Sequence, residues 1–142
     1  FPYTTLFRSA VATSSSHAYA ENNLKREGIQ AYFSAVITGS MVTEAKPSPE
    51  IYRKACEALK VSPACALALE DSYNGIRSAH GAGMITVMIP DLLTDSSPVD
   101  ELLDGKMDSL LAVARWIETI YQFTKGENFN GEKDICHQRT TG

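Results

Sequence analysis

The sequence predicts an α/β domain built on a parallel sheet covered on both faces. Three observations point there. Short apolar runs (AVAT, AVIT, ALAL, ITVMI) alternate with stretches of helical period. The runs are apolar throughout rather than alternating, as in strands covered on both faces. Polar clusters follow the first three runs closely, and in open parallel sheets ligands collect beyond the carboxyl ends of the strands.

Ala10 to Thr13 (AVAT) is the first strand, opening into Ser14-Ser15-Ser16 as a loop and helix N-cap. A helix follows from about His17 to Glu27, ended by Gly28. Ala35 to Thr38 (AVIT) is the second strand, closed by Gly39. Pro47 and Pro49 flank a turn, and a helix runs from about Pro49 to Lys60. Ile51, Tyr52, Ala55, Cys56 and Leu59 form its apolar face. Ala66 to Leu69 (ALAL) is the third strand and ends in Glu70-Asp71. Asp71 or Ser72 caps a helix from Tyr73 to Ala82, which Gly83 ends. Ile85 to Ile89 is the fourth strand, stopped by Pro90. After a looser segment, a helix spans about Asp108 to Phe123, with Leu110, Leu111, Val113, Ala114, Ile117, Ile120 and Tyr121 on its buried side and Trp116 in the core. The order is β-α-β-α-β-α-β-α, which implies right-handed crossovers.

A chain of 142 residues with 44% hydrophobic and 21% charged residues is sized for one soluble domain. A net charge of −4, with no basic face, argues against nucleic acid as a partner. No apolar stretch approaches the roughly 20 residues of a membrane span, and the start has no signal-peptide pattern. Cys56, Cys65 and Cys136 are widely spaced without a CxxC pair. That speaks against a disulfide framework or zinc site and for a reducing cytoplasm. Residues 1–9 (FPYTTLFRS) match one reading frame of a widely used DNA-sequencing adaptor. A non-native leader is therefore expected over 1–9, with the natural protein continuing upstream of Ala10. The core domain is expected over 10–123 and a flexible polar tail over 124–142, where Cys136 and His137 alone are too few ligands for a metal.

The strand ends carry the chemistry. Thr13 to Ser16 place hydroxyls and N–H groups at a helix start, a geometry that receives an anion, though such runs are usually plain caps. Lys46, in KPSP, is a cation on a stiff turn; alone it reads as a surface lysine. Glu70-Asp71 put two like charges at the mouth of the sheet, which costs energy unless a cation joins them. The bland reading is a pair of solvated caps. Taken together, the three clusters supply an anion holder, a charge neutraliser and a Mg²⁺ site of one or two carboxylates.

At this level the residues resemble the haloacid dehalogenase superfamily over about residues 10 to 120. AVATSSS resembles its second motif. KPSPEIY resembles the third, in the form of the phosphoglucomutase-like phosphatase branch, and LEDSYNGIRSAHGAGM resembles the fourth. The resemblance implies a three-layer Rossmann-like core, Thr13 and Ser14 as holders of the phosphoryl group, Lys46 as the catalytic cation and phosphate ligand, and Glu70 and Asp71 as Mg²⁺ ligands. Ser72 to Gly75 would support them. It also implies a small phosphorylated metabolite as substrate; the chain is expected to be a cytoplasmic monomer with no nucleic-acid or membrane partner.

The family's first motif, Asp-x-Asp, supplies the nucleophile that forms an aspartyl-phosphate. No Asp-x-Asp occurs in this sequence, and Asp91 and Asp95 fall after the fourth strand. The inserted helical cap that sets substrate choice is missing as well. The parent activity is thus expected to be Mg²⁺-dependent phosphomonoester hydrolysis, inactive in this fragment, with a phosphosugar mutase or a non-catalytic phosphate-binding module as alternatives. The missing strand would sit between those ending at Thr13 and Leu69, so two unpaired edges and a destabilised core are expected. A dinucleotide fold is disfavoured, because Gly81-Ala82-Gly83 precedes a strand instead of following one. His17 reads as a solvated helix start and His80 as packing or surface.

Overall fold

The computed structural model describes residues 7–125. The observed elements are β1 (Ala10–Thr13), α1 (His17–Arg26), β2 (Ala35–Thr38), α2 (Glu50–Leu59), β3 (Leu67–Glu70), α3 (Tyr73–Ala82), β4 (Ile85–Met88), β5 (Gly105–Lys106) and α4 (Leu110–Lys125), with single helical turns between several of them. The α/β architecture and all-parallel pairing follow the sequence expectation. β3 lies one residue later than ALAL suggests and takes Glu70 into the strand, where it pairs with Met88. β5 was not anticipated: two residues that begin with glycine carry no period to read.

The strands form two sheets, β1-β2 and β3-β4-β5. β1 pairs with β2 in register from Ala10–Ala35 to Thr13–Thr38. β3 pairs from Leu67–Ile85 to Glu70–Met88. Among the described residues, β1 and β3 each have a partner strand on one side only, so the two unpaired edges expected from the sequence are observed. Helices tie the sheets together. α2 packs on β1 and β2 and against α3, which packs on β3 and β4. The main core joins Ile37, Ile51, Tyr52, Ala55, Cys56, Ala68 and Ala79 across that junction, and Ile76, Met88 and Val99 form a second cluster.

The caps follow local chemistry. Ser16 accepts from the Tyr19 N–H and Ser72 from the Gly75 N–H, each satisfying an orphan donor of a first turn. Gly83, at φ 85°, closes α3 in the left-handed region that glycine enters without strain.

Two expectations fail. Among the described side chains of α4 only Val113 is buried; Leu110, Leu111 and Ile120 are 65%, 61% and 37% exposed, Ala114 is exposed and Trp116 is 37% exposed. The period is helical, but no element among the described residues packs broadly on that face, so the stripe is not covered. The Tyr121 side chain lies outside the described residues. Cys65 is disulfide-bonded, against the reading of every cysteine as reduced, whereas Cys56 is free and buried. The expected leader beyond Phe7 and the tail with Cys136 and His137 also lie outside the described residues.

Candidate active site

β1, β2 and β3 deliver the three predicted clusters to their carboxyl ends. After β1, the Thr13 hydroxyl oxygen accepts the Ser15 N–H at 3.1 Å, folding the loop back over the strand end. Thr13 is half-buried and Ser14 exposed. Gly39, at the end of β2, lets that loop approach: a Cβ there would stand 2.7 Å from the Ser14 carbonyl oxygen. Substitution would push β2 away from the hydroxyl loop.

Lys46 rises from the segment between β2 and α2, which is pinned on both sides. The Glu50 carboxylate accepts the Thr43 and Glu44 N–H groups at 2.8–3.0 Å and pairs with Lys54 at 3.0 Å. Those backbone donors, Glu44 first, and then Lys54 hold the Glu50 carboxyl down to about 2. Ser78 on α3 donates to the Ser48 carbonyl at 2.6 Å.

The ammonium so delivered reaches across the gap between the sheets. Lys46 Nζ donates to the Ala12 carbonyl of β1 at 3.3 Å and forms an ion pair with Glu70 at the end of β3. Both side chains are largely buried, at 12% and 7% exposure. A buried charge without a partner would cost several kcal/mol, so each fixes the other. Glu70 is further satisfied by the Tyr52 hydroxyl and by Ser72 Oγ at 3.2 Å. Its carboxylate lies directly over Gly75, where a Cβ would overlap it. Burial first, then the Glu70 charge, pushes the Tyr52 phenol well above its usual range, so it remains a donor.

Not every predicted residue is drawn into this cluster. Lys46 and Glu70 touch; Thr13 and Ser14 stand beside Ala12 on the same strand end, and the Thr13 hydroxyl bonds within its own loop. Asp71 is exposed and faces an open cleft of about 420 Å³. That cleft is lined by Leu69, Glu70, Asp71 and Pro90, and also by Asp91 and Asp108. Sequence order set Asp91 aside and gave Asp108 only a helix start; their position past β4 and β5 was the available signal. Tyr52 was read as one more apolar stripe residue, because a phenol at helical spacing is indistinguishable from core until its hydroxyl finds a partner. His17 pairs only with Glu21 on exposed α1, and His80 Nδ1 lies 3.1 Å from the Leu102 carbonyl, away from the site.

The donor set suits Mg²⁺, which takes one or two carboxylates, keeps several waters and completes its shell with phosphate. Glu70 and Asp71 are adjacent carboxylates at one strand end. Among the described residues no group of three or more His, Cys, Asp or Glu that could hold a metal ion is found.

Comparison with known proteins places the chain in a family. The family description haloacid dehalogenase-like hydrolase matches residues 5–89. Protein CbbY of Cereibacter sphaeroides is 46% identical over 76 residues, covering 51% of this chain and 33% of that protein. A phosphorylated carbohydrates phosphatase of Thermotoga maritima is 37% identical over 75 residues, covering 53% of this chain and 35% of its own length. The crystal structure of CbbY from Rhodobacter sphaeroides in complex with phosphate superposes with a TM-score of 0.66 at 38% identity, over 72% of this chain and 47% of that one. The chain thus spans only about a third to a half of these relatives.

Proposed function

The chain belongs to the haloacid dehalogenase-like hydrolase family, and on that premise we propose that its strand-end site serves Mg²⁺-dependent hydrolysis of a phosphomonoester through an aspartyl-phosphate. The observation that carries this reading is the Lys46 ammonium spanning Ala12 of β1 and Glu70 of β3. It places one fixed cation between a hydroxyl loop and an acidic pair, and phosphoryl transfer depends mostly on such positioning and charge stabilisation.

In this reading Thr13 and Ser14 hold the phosphoryl oxygens with hydroxyl and N–H groups. Lys46 balances the charge gathered between nucleophile and phosphate. Glu70 and Asp71 would hold Mg²⁺, which supplies charge neutralisation on the phosphoryl oxygens. The substrate is a small phosphorylated metabolite, in keeping with phosphate in the CbbY complex and with the carbohydrate phosphatase among the relatives. The nucleophilic aspartate has no counterpart in an Asp-x-Asp of these 142 residues. We therefore expect the chain to bind phosphate without turning over. Among the described residues no helix is long and apolar enough to cross a membrane.

Titrating inorganic phosphate into the chain by calorimetry, with and without Mg²⁺, tests the reading. Phosphate affinity should rise with Mg²⁺; Asp71→Asn should remove that dependence, and Lys46→Met should remove most binding. Phosphate binding that ignores Mg²⁺ and both variants would overturn the assignment. Phosphate release from a general phosphomonoester by this chain alone would show that another carboxylate is the nucleophile.

A further inference from the structure

Tyr52 is 6% exposed and sits among apolar neighbours on α2, yet its hydroxyl is spent entirely on the site. It donates to Oε1 of Glu70, the same oxygen that receives Lys46 Nζ. Its ring also stands beneath that ammonium, 4.9 Å from centroid to Nζ. One side chain therefore touches both members of the buried ion pair, through two different interactions.

A lysine ammonium is a compact charge on a flexible stem and does not fix its own direction. The Tyr52 ring face attracts it electrostatically, within the distance at which cation–π contacts matter. A carboxylate oxygen likewise has room to swing; two donors on Oε1 and Ser72 on Oε2 leave Glu70 a single orientation. We propose that Tyr52 is a positioning residue that fixes the Lys46–Glu70 pair, its hydroxyl holding the carboxylate and its ring holding the ammonium. The geometry is independent of the metal; its consequence for catalysis rests on the function proposed above.

Phenylalanine keeps the ring and the packing and removes only the hydroxyl, so Tyr52→Phe separates positioning from bulk. The readout is the exchange rate of the Lys46 Nζ protons in ¹H–¹⁵N spectra of the intact chain, the signal being identified by its loss in Lys46→Met. Loss of one hydrogen bond to a charged group should speed that exchange by about tenfold. Tyr73→Phe is the control, because the Tyr73 hydroxyl donates to the Asp95 carbonyl at 2.6 Å, away from the pair. Its exchange rate should match wild type. Unchanged exchange in a folded Tyr52→Phe chain would overturn the proposal and leave Tyr52 as core. A Mg²⁺ titration of the same proteins keeps the two readings apart. Faster exchange with weaker Mg²⁺ binding supports both. Faster exchange in a chain that binds no Mg²⁺ at all supports the positioning role and sinks the metal assignment.

Discussion

Two regions of this chain use the same ingredient, an amphipathic helix, with opposite results. α2 and α3 bury their apolar faces against two sheets and against each other, and enclose an ion pair whose carboxylate has three donors. α4 is longer and more apolar in pattern, yet among its described side chains only Val113 is buried. The difference lies in what each helix must satisfy. Between α2 and α3 the charge of Glu70 constrains every neighbour, since a buried carboxylate tolerates neither a missing donor nor a displaced one. α4 carries no such obligation, and helical period alone does not supply a surface to bury against. Specification in this fold follows the buried charge more closely than it follows hydrophobicity.

The sharpest way to break that contrast is at Gly75. Its Cα lies under the Glu70 carboxylate, so a single methyl has no space. Gly75→Ala must move either α3 or Glu70, and moving Glu70 strands Lys46. Overpacking and disruption of a buried pair together predict a loss of about 3 kcal/mol or more. Glycine-to-alanine inside a helix would otherwise gain up to about 1 kcal/mol. Denaturant melts decide between them, and a stabilised variant would show that the carboxylate is not held where the structure puts it.

A smaller, paired test compares the helices directly. Ile76 on α3 is fully buried, whereas Leu110 on α4 is 65% exposed. Ile76→Ala should cost about 2–4 kcal/mol through lost transfer energy and the cavity left behind. Leu110→Ala should stay within about 0.5 kcal/mol. Comparable losses at both positions would mean that α4 is covered in solution.

The same contrast explains what could be read in advance. Four strands and four helices were legible because apolar runs and helical period are local signals, and Gly28, Gly83 and the serine caps marked their ends. The chemical clusters were legible because strand ends in a parallel fold are where polar residues gather. Burial of α4 was misjudged because amphipathicity states a preference, not the presence of a partner. Tyr52, Asp91 and Asp108 were missed at the site because their roles depend on residues 18 or more positions away, or on which strands line one cleft. The division into two sheets was legible only as an expected pair of open edges.

The mildest effect concerns Glu50, which holds the Lys46 segment through exposed bonds. Its carboxyl is lowered from 4.5 to about 2 in the folded chain, chiefly by the Glu44 and Thr43 N–H donors. A depressed folded-state value means that the ionised carboxylate contributes stability in full above the unfolded value. That contribution drains away as pH falls from 4.5 through about 2. Glu50→Gln has no such charge to lose. Its deficit against wild type should therefore be greatest near neutral pH and shrink across that acid window, because Glu50 becomes neutral too. Thermal melts of the two proteins across the window read the difference directly, other carboxylates cancelling between them. A deficit that stays constant down to the acid end would mean that Glu50 acts through shape and hydrogen-bond geometry, and that its charge does not latch the Lys46 segment.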